Sequence, residues 1–327
     1  MIRIVSCIVL CLASLAGLLT AFATPAAAQE RFPTKQVRII VPFPAGGPID
    51  VMARLVAQKL TPTLGQVIIE NRPGGGSTVG LKAAVTAEPD GHTLMFGGLM
   101  TLSVLPSLSK ALDIDPANGF APVIAVSGTP FVLIVPPRVS ARTVQQLIAY
   151  ARENPGKVNF GAPAGATPIM VGELFKLRTG INITTVPYRG AATVMTDMLS
   201  GQIDMSFEPT SITLAHVNDG KVRPLAITSA TRNSEMPEVP TMLESGVPDM
   251  VAVSWTGLIA PPRTPPAIVA RLNQEVNTAL KSEDMIAALR KLGSSPLGGT
   301  PQDFRKLLID ETPKWLAVMK SSGMKID

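Results

Sequence analysis

Hydrophobic and polar positions along this chain switch repeatedly between strand and helix periods. Val37 to Pro42 reads as a buried strand, and Pro48 to Leu64 as a helix with Met52, Leu55, Val56 and Leu60 on its apolar side. Val67 to Glu70 predicts a second strand and Ser77 to Ala87 a second helix. The turn Pro89-Asp90-Gly91 then leads into a third strand, His92 to Phe96. Strand and helix alternating over short connections imply a parallel sheet with right-handed crossovers.

The alternation pauses between Gly97 and Pro122, where proline, glycine and serine are frequent, and then resumes. Phe131 to Val135 reads as a strand. Thr143 opens a helix as N-cap with Gln146 three residues on, a capping box, and that helix ends near Asn154-Pro155-Gly156. Strands at Val158 to Phe160, Ile183 to Val186 and Ile203 to Phe207 enclose helices at Pro168 to Thr179 and Ala192 to Ser200, stopped by Gly180 and Gly201. Two parallel α/β units therefore stand in tandem. Val222 to Thr228 and Ser254 to Ala260 add strands, and three helices finish the chain near residues 266–281, 284–292 and 301–321. Thr300-Pro301 starts the last by the N-cap and N1 preferences, and Pro313 predicts a kink in it. A helical tail without a sheet of its own must pack on an existing one. The expected organisation is a leader at 1–28, a first lobe at 29–126, an inserted second lobe at 127–228, and a return to the first lobe at 229–327.

Arg3 is the only charge in the first 29 residues, ahead of an apolar run from Ile4 to Phe22 and then Thr24-Pro25-Ala26-Ala27-Ala28-Gln29. That order predicts a secretory signal peptide cleaved after Ala28, and hence a periplasmic protein; the run nearly suffices for a membrane anchor, but Ala26 and Ala28 favour cleavage. Cys7 and Cys11, the only cysteines, leave with it. Disulfides, cysteine nucleophiles and thiolate metal sites are then excluded. With only His92 and His216 as imidazoles, no histidine metal cluster is expected, and neither a metal nor a cofactor is implied. The formal charge of +5 is spread over scattered residues with two Trp and two Tyr, which argues against a nucleic-acid partner.

Two loops carry the candidate chemistry. Pro42-Phe43-Pro44-Ala45-Gly46-Gly47-Pro48-Ile49-Asp50 leaves the carboxyl end of the first strand and enters a helix; Gly161-Ala162-Pro163-Ala164-Gly165-Ala166-Thr167-Pro168 does the same in the second unit. In open α/β sheets, ligands bind outside the carboxyl ends of the strands. Glycines let a ligand approach the backbone, and amide hydrogens at a helix start suit a carboxylate. A tight turn is the alternative reading of either loop alone. Two in matching places suggest a cleft that closes on an anion, with Gly97-Gly98-Leu99-Met100-Thr101 and Tyr188-Arg189-Gly190-Ala191 able to line it. Enzyme motifs are missing: there is no Gly-x-Ser-x-Gly elbow, the lysine of Gly75 to Lys82 falls one position late for a phosphate loop, and Ser107-Leu108-Ser109-Lys110 lacks its partner motifs.

The chain resembles the Bug family, the solute-binding proteins of tripartite tricarboxylate transporters. The marks are Phe32-Pro33, Val41 to Asp50, Glu70-Asn71-Arg72-Pro73-Gly74, Pro89-Asp90-Gly91, Phe120-Ala121-Pro122-Val123, Val186-Pro187-Tyr188-Arg189-Gly190, Pro237 to Thr241 and Trp255-Thr256-Gly257-Leu258. The resemblance implies a two-lobed type II periplasmic-binding fold, each lobe a mainly parallel sheet flanked by helices, with hinge strands between. It implies a monomeric receptor rather than an enzyme, which takes a small organic acid and delivers it to membrane permease subunits. A sensory binding protein that presents its ligand to a sensor kinase, or an exported enzyme on the same fold, would be the rival readings. By position the ligand residues would be Phe43, Ala45, Gly46, Gly47, Ile49 and Asp50; Gly98, Leu99 and Thr101; Gly161, Ala166, Thr167 and Ile169; and Tyr188, Gly190 and Ala191, with Glu208 at the crossing between lobes. Ile49, Leu99, Met100 and the run Ala166-Thr167-Pro168-Ile169 stand where the family carries more polar residues, which argues against a densely charged ligand.

Overall fold

The computed structural model describes residues 32–108, 112, 114–115, 118–164 and 166–323. The expected leader and its cleavage site, and Lys110 of the Ser-x-x-Lys match, lie outside them. The chain divides after Thr34, and every strand and helix described belongs to the unit that starts at Lys35.

β1 (Val37–Val41) is almost entirely buried because it has a parallel neighbour on each edge, and its apolar run needs no polar face. α1 (Pro48–Leu64) starts from an extended Gly47 with proline at its first position and buries Met52, Ala53, Val56, Leu60 and Leu64. β2 (Val67–Asn71) pairs with β1, Val37 opposite Val67. A short 3-10 turn, Gly75–Ser77, precedes α2 (Thr78–Val85), which is shorter than expected at both ends. β3 (Thr93–Gly98) closes the parallel triplet on the other side of β1. The expected pause after Gly97 is instead helical: a π-helical turn, Met100–Val104, runs into α3 (Leu105–Leu108).

β4 (Ala121–Val135) is three times the expected length and buried throughout except at Ala121 and Thr129. After it come α4 (Val144–Glu153), β5 (Asn159–Pro163), α5 (Thr167–Thr179), β6 (Thr184–Tyr188), α6 (Ala191–Leu199), β7 (Ser206–Pro209), α7 (Thr210–Asn218) and β8 (Arg223–Ile227). Thr143 caps α4 as expected, accepting from the Gln146 amide at 3.2 Å. Gln146 reaches back one residue further, to the amide of Arg142 at 2.7 Å. The chain ends with β9 (Val253–Ala260), α8 (Pro266–Leu280), α9 (Glu283–Lys291), β10 (Ser295–Gly298) and α10 (Pro301–Ser322). A complete capping box between Thr300 and Asp303 starts α10, which continues as one helix through Pro313. Among the described residues, no helix is long and apolar enough to cross a membrane.

The sheet runs β2-β1-β3-β9-β4-β10, parallel within its first three strands and antiparallel where β9, β4 and β10 join. β4 serves two sets of partners. Its first part pairs with β9 as far as Pro130 opposite Val253, and its last part pairs with β7 and β8 from Phe131 onward. The exchange falls at Pro130, which has no amide hydrogen to offer a ladder. Thr228 Oγ1 accepts from the amide of Phe131 at 2.9 Å and donates to the carbonyl of Ala252 at 2.5 Å, so three chain passages meet there. In residues 229–252, Thr241 bridges Ile227, Gln145 of α4 donates to the carbonyl of Ser245, Met236 and Val239 pack with Val132 and Ile134, and the carbonyl of Val251 accepts from Lys314 of α10. The ladder between β4 and β9 resumes at Val253.

Helices cover the sheet as the tail argument predicted: α8 packs on α1 and β4, and α10 lies on β4 while also touching α5. Trp255 and Phe304 form the hub of that packing, ring to edge at 5.5 Å and 85°, and Gly257 lies so close beneath Phe304 that a Cβ there would collide with the ring. Truncating Phe304→Ala should therefore cost about 3–5 kcal/mol of stability, read as a lower midpoint in denaturant unfolding.

Candidate functional site

A cavity of about 760 Å³ opens where α1, the π-helical turn, α5 and β9 converge. Its wall consists of Phe43 to Ile49, Gly98 to Thr101, Ala166, Thr167, Ser254 and Trp255. Not one of these residues is charged. The loop after β1 turns sharply at Gly46, whose φ of +83° suits glycine, and Gly47 then hands the chain to α1. The corresponding loop after β5 delivers Ala166 and Thr167 to the start of α5, with Pro168 in its first turn.

Residues of both helix starts line the cavity, which places the positive end of each helix dipole there; at α5 the amides of Ala166 and Ile169 are already used, by the carbonyls of Pro163 and Ala166. Ile49 and Asp50 in α1 and Thr167 in α5 occupy these first-turn positions. Among the described residues, no hydrogen bond inside the protein engages the hydroxyls of Thr101, Thr167 or Ser254. Hydroxyls and amides can together hold an oxyanion without a cationic side chain. Apolar atoms of Phe43, Ile49 and Met100 make up much of the remaining wall, while the Trp255 ring is buried against Phe304 behind it.

Several expected site residues lie elsewhere. Gly46 stands at the wall, but its amide is already used, donating to Asp50 Oδ2 at 2.8 Å. Asp50 itself is buried, 1% exposed, and turns its carboxylate away from the cavity toward Arg54 and Asn71. The Arg54 hydrogen bonds hold that carboxyl down at about 2, against the opposing effect of burial. Tyr188 donates its hydroxyl to Asp197 at 2.8 Å, and burial together with that carboxylate pushes the phenol up to about 12. Gly161 is buried against Ile203 and Tyr188, and Ile169 packs on the core. Neither these nor Gly190, Ala191 and Glu208 form part of the wall. Conversely, Ser254 and Trp255 line the cavity without having been singled out for it. Their place follows from β9 lying antiparallel to β3, with Gly98 opposite Thr256, a pairing that the reading of purely parallel units did not contain.

Glu208 sits fully buried where β7 meets β4, opposite Val132. Ser206 Oγ lies 2.8 Å from the carbonyl oxygen of Gly161 and 2.9 Å from Glu208 Oε1. One hydroxyl proton cannot serve both, and a carbonyl only accepts. A neutral Glu208 that donates to Ser206 satisfies both contacts at once. Burial pushes this carboxyl up to about 7, against the opposing effect of the Ser206 contact, and its other oxygen has no partner among the described residues.

Comparison with known proteins decides the family. Residues 52–324 match the family described as the tripartite tricarboxylate transporter family receptor. The chain belongs to this family. The receptor is 36% identical over 300 residues to protein BugT of Bordetella pertussis, across 91% of this chain and 92% of BugT. Among solved structures it resembles Rpa4515 of R. palustris with adipate, at 35% identity and a TM-score of 0.70, covering 89% of this chain and 98% of that one. MatC from Rhodopseudomonas palustris with bound malate aligns at 30% identity and a TM-score of 0.68, over 88% and 99% of the two chains. Family and fold are those of periplasmic solute-binding proteins, not of enzymes. Among the described residues, no group of three or more metal-ligating side chains is gathered anywhere.

The raised carboxyl at Glu208 has a defined consequence. A folded-state value above the unfolded one contributes fully at low pH and is lost as pH rises through it. Between about pH 5 and pH 8 the receptor should lose roughly 3 kcal/mol more stability than a Glu208→Gln variant. Chemical denaturation across that range would measure the difference, and parallel curves for the two proteins would contradict it.

Proposed function

We propose that this receptor is exported to the periplasm, captures a small organic carboxylate in the cavity, and delivers it to the permease subunits of a tripartite tricarboxylate transporter. The observation that carries the reading is the convergence of two helix starts and three uncommitted hydroxyls on a cavity walled without charge. Such an arrangement favours an anion, since backbone amides and dipoles supply the donors. Adipate in Rpa4515 and malate in MatC are consistent with a carboxylate here.

The wall also argues for the kind of carboxylate. A second or third carboxylate pressed against Phe43, Ile49 and Met100 would lose hydration without gaining donors, which is costly. An apolar body in the same place gains roughly 25 cal/mol per Å² removed from water. The preferred ligand is therefore an acid with one carboxylate held by the loops and a sizeable apolar body, aromatic or branched. Calorimetry should rank benzoate-like or branched-chain acids above citrate and succinate, and Thr167→Ala should weaken the best of them by about 1 kcal/mol. Tighter binding of citrate would overturn this ligand class.

Capture is proposed to involve two lobes, residues 35–130 with 253–323 and residues 131–252, rotating about the crossings at Pro130, Thr228 and Ala252. The exchange of partners along β4 at that point supports such a hinge. Small-angle scattering should show a smaller radius of gyration at ligand saturation, and an unchanged radius would count against rotation.

A further inference from the structure

A carboxylate one helical turn from an anion-reading loop poses an electrostatic problem. Asp50 lies in the first turn of α1, directly after the residues that wall the cavity, yet it carries a full negative charge. Its partners show how the charge is used. Oδ2 accepts from the Gly46 amide at 2.8 Å and from Arg54 Nε at 2.9 Å. Oδ1 accepts from Arg54 Nη2 at 3.1 Å and from Asn71 Nδ2 at 2.8 Å. Asn71, at the end of β2, also donates to the carbonyl of Phe43 at 3.0 Å, and its own oxygen accepts from Arg54 Nη2 at 3.2 Å.

Both ends of the loop are thus tied to one group of three side chains. Phe43 is held by its carbonyl, Gly46 by its amide, and β2 and α1 supply the anchors. Gly46 has a left-handed φ with open space where a Cβ would stand, and Pro44 and Ala45 beside it are exposed, so the tip of the loop is held mainly by these hydrogen bonds. Other charged groups on the elements around α1 are committed elsewhere: Glu70 to Arg38 at 3.2 Å and to Arg72, and Glu275 of α8 to Arg271 at 2.9 Å. Arg54 is the cation that offsets Asp50.

We propose that Asp50 and Asn71 are positioning residues that hold the Phe43–Gly47 loop in its ligand-reading shape, and that Arg54 cancels the repulsion Asp50 would otherwise exert on a bound anion. Neither Asp50 nor Asn71 touches the ligand in this account. The proposal rests on the carboxylate reading above, and it also makes a claim about the empty-handed protein: the Gly46 amide is protected from exchange by Asp50.

Two variants separate this from ordinary structural damage. Asn71→Asp keeps the size but sets a second carboxylate against Asp50 and the Phe43 carbonyl; Arg54→Met keeps the stem but removes the offsetting charge. Benzoate affinity relative to wild type, by calorimetry, should fall about tenfold or more near pH 7.5 in each variant. The deficit should shrink to about threefold near pH 5, as the uncompensated carboxylate takes up a proton. Hydrogen exchange without ligand should be faster at Gly46 in Asn71→Asp. Equal affinities at both pH values, or a loss that does not recover on acidification, would overturn the proposal. If wild type binds neither benzoate nor any other carboxylate, the functional reading fails instead. The clamp is then judged by Gly46 exchange alone, and an unchanged rate in Asn71→Asp would overturn it.

Discussion

Everything in this fold is registered through β4. A strand of 15 residues has two edges to satisfy along its whole length, and it does so by changing partners at Pro130 instead of ending there. Trp255 and Ser254 are placed opposite Gly128 and Thr129 by that ladder. From Thr256 the next ladder fixes Gly98, and from β3 the register passes to β1 and its loop. The cavity wall is therefore a set of strand ends whose heights are set by hydrogen bonds some distance away. A one-residue slip in β4 would exchange its two faces, and because both are buried each side chain would then meet packing shaped for its neighbour.

Polarity at the cavity comes from the backbone and from hydroxyls, while the ionisable groups nearby are kept out of it. Asp50 is neutralised by a neighbour on its own helix, whereas burial at Glu208 favours the neutral carboxyl. The two solutions follow from solvent access. Arg54 reaches Asp50 from a half-exposed position, whereas among the described residues no cation pairs with Glu208 at the buried crossing.

Much of this architecture was legible in the sequence, and the failures have physical reasons. The strands and helices of the two α/β units were visible because apolar runs stand between glycines and prolines, and Thr143 and Thr300 marked their helix starts correctly. The first ten residues of β4 were not, since Pro122, Ser127, Gly128 and Pro130 interrupt any strand pattern before Phe131; pairing with β9, and with β10 in part, makes them a strand. That the residues from Phe43 to Ile49, with Leu99, Thr101, Ala166 and Thr167, share a cavity wall was legible because strand-to-helix turns are local features. Ser254 and Trp255 depend on an antiparallel insertion from far along the chain. The inward turn of Asp50 depends on Asn71 and Arg54, which no local motif connects to it.

A wall without charged side chains also governs how a ligand arrives. Fixed helix dipoles act over about one turn, so they exert little pull on an anion still in solution. With no charged side chain on the wall, the cavity itself supplies little long-range attraction, and discrimination between one anion and another is made at contact distance.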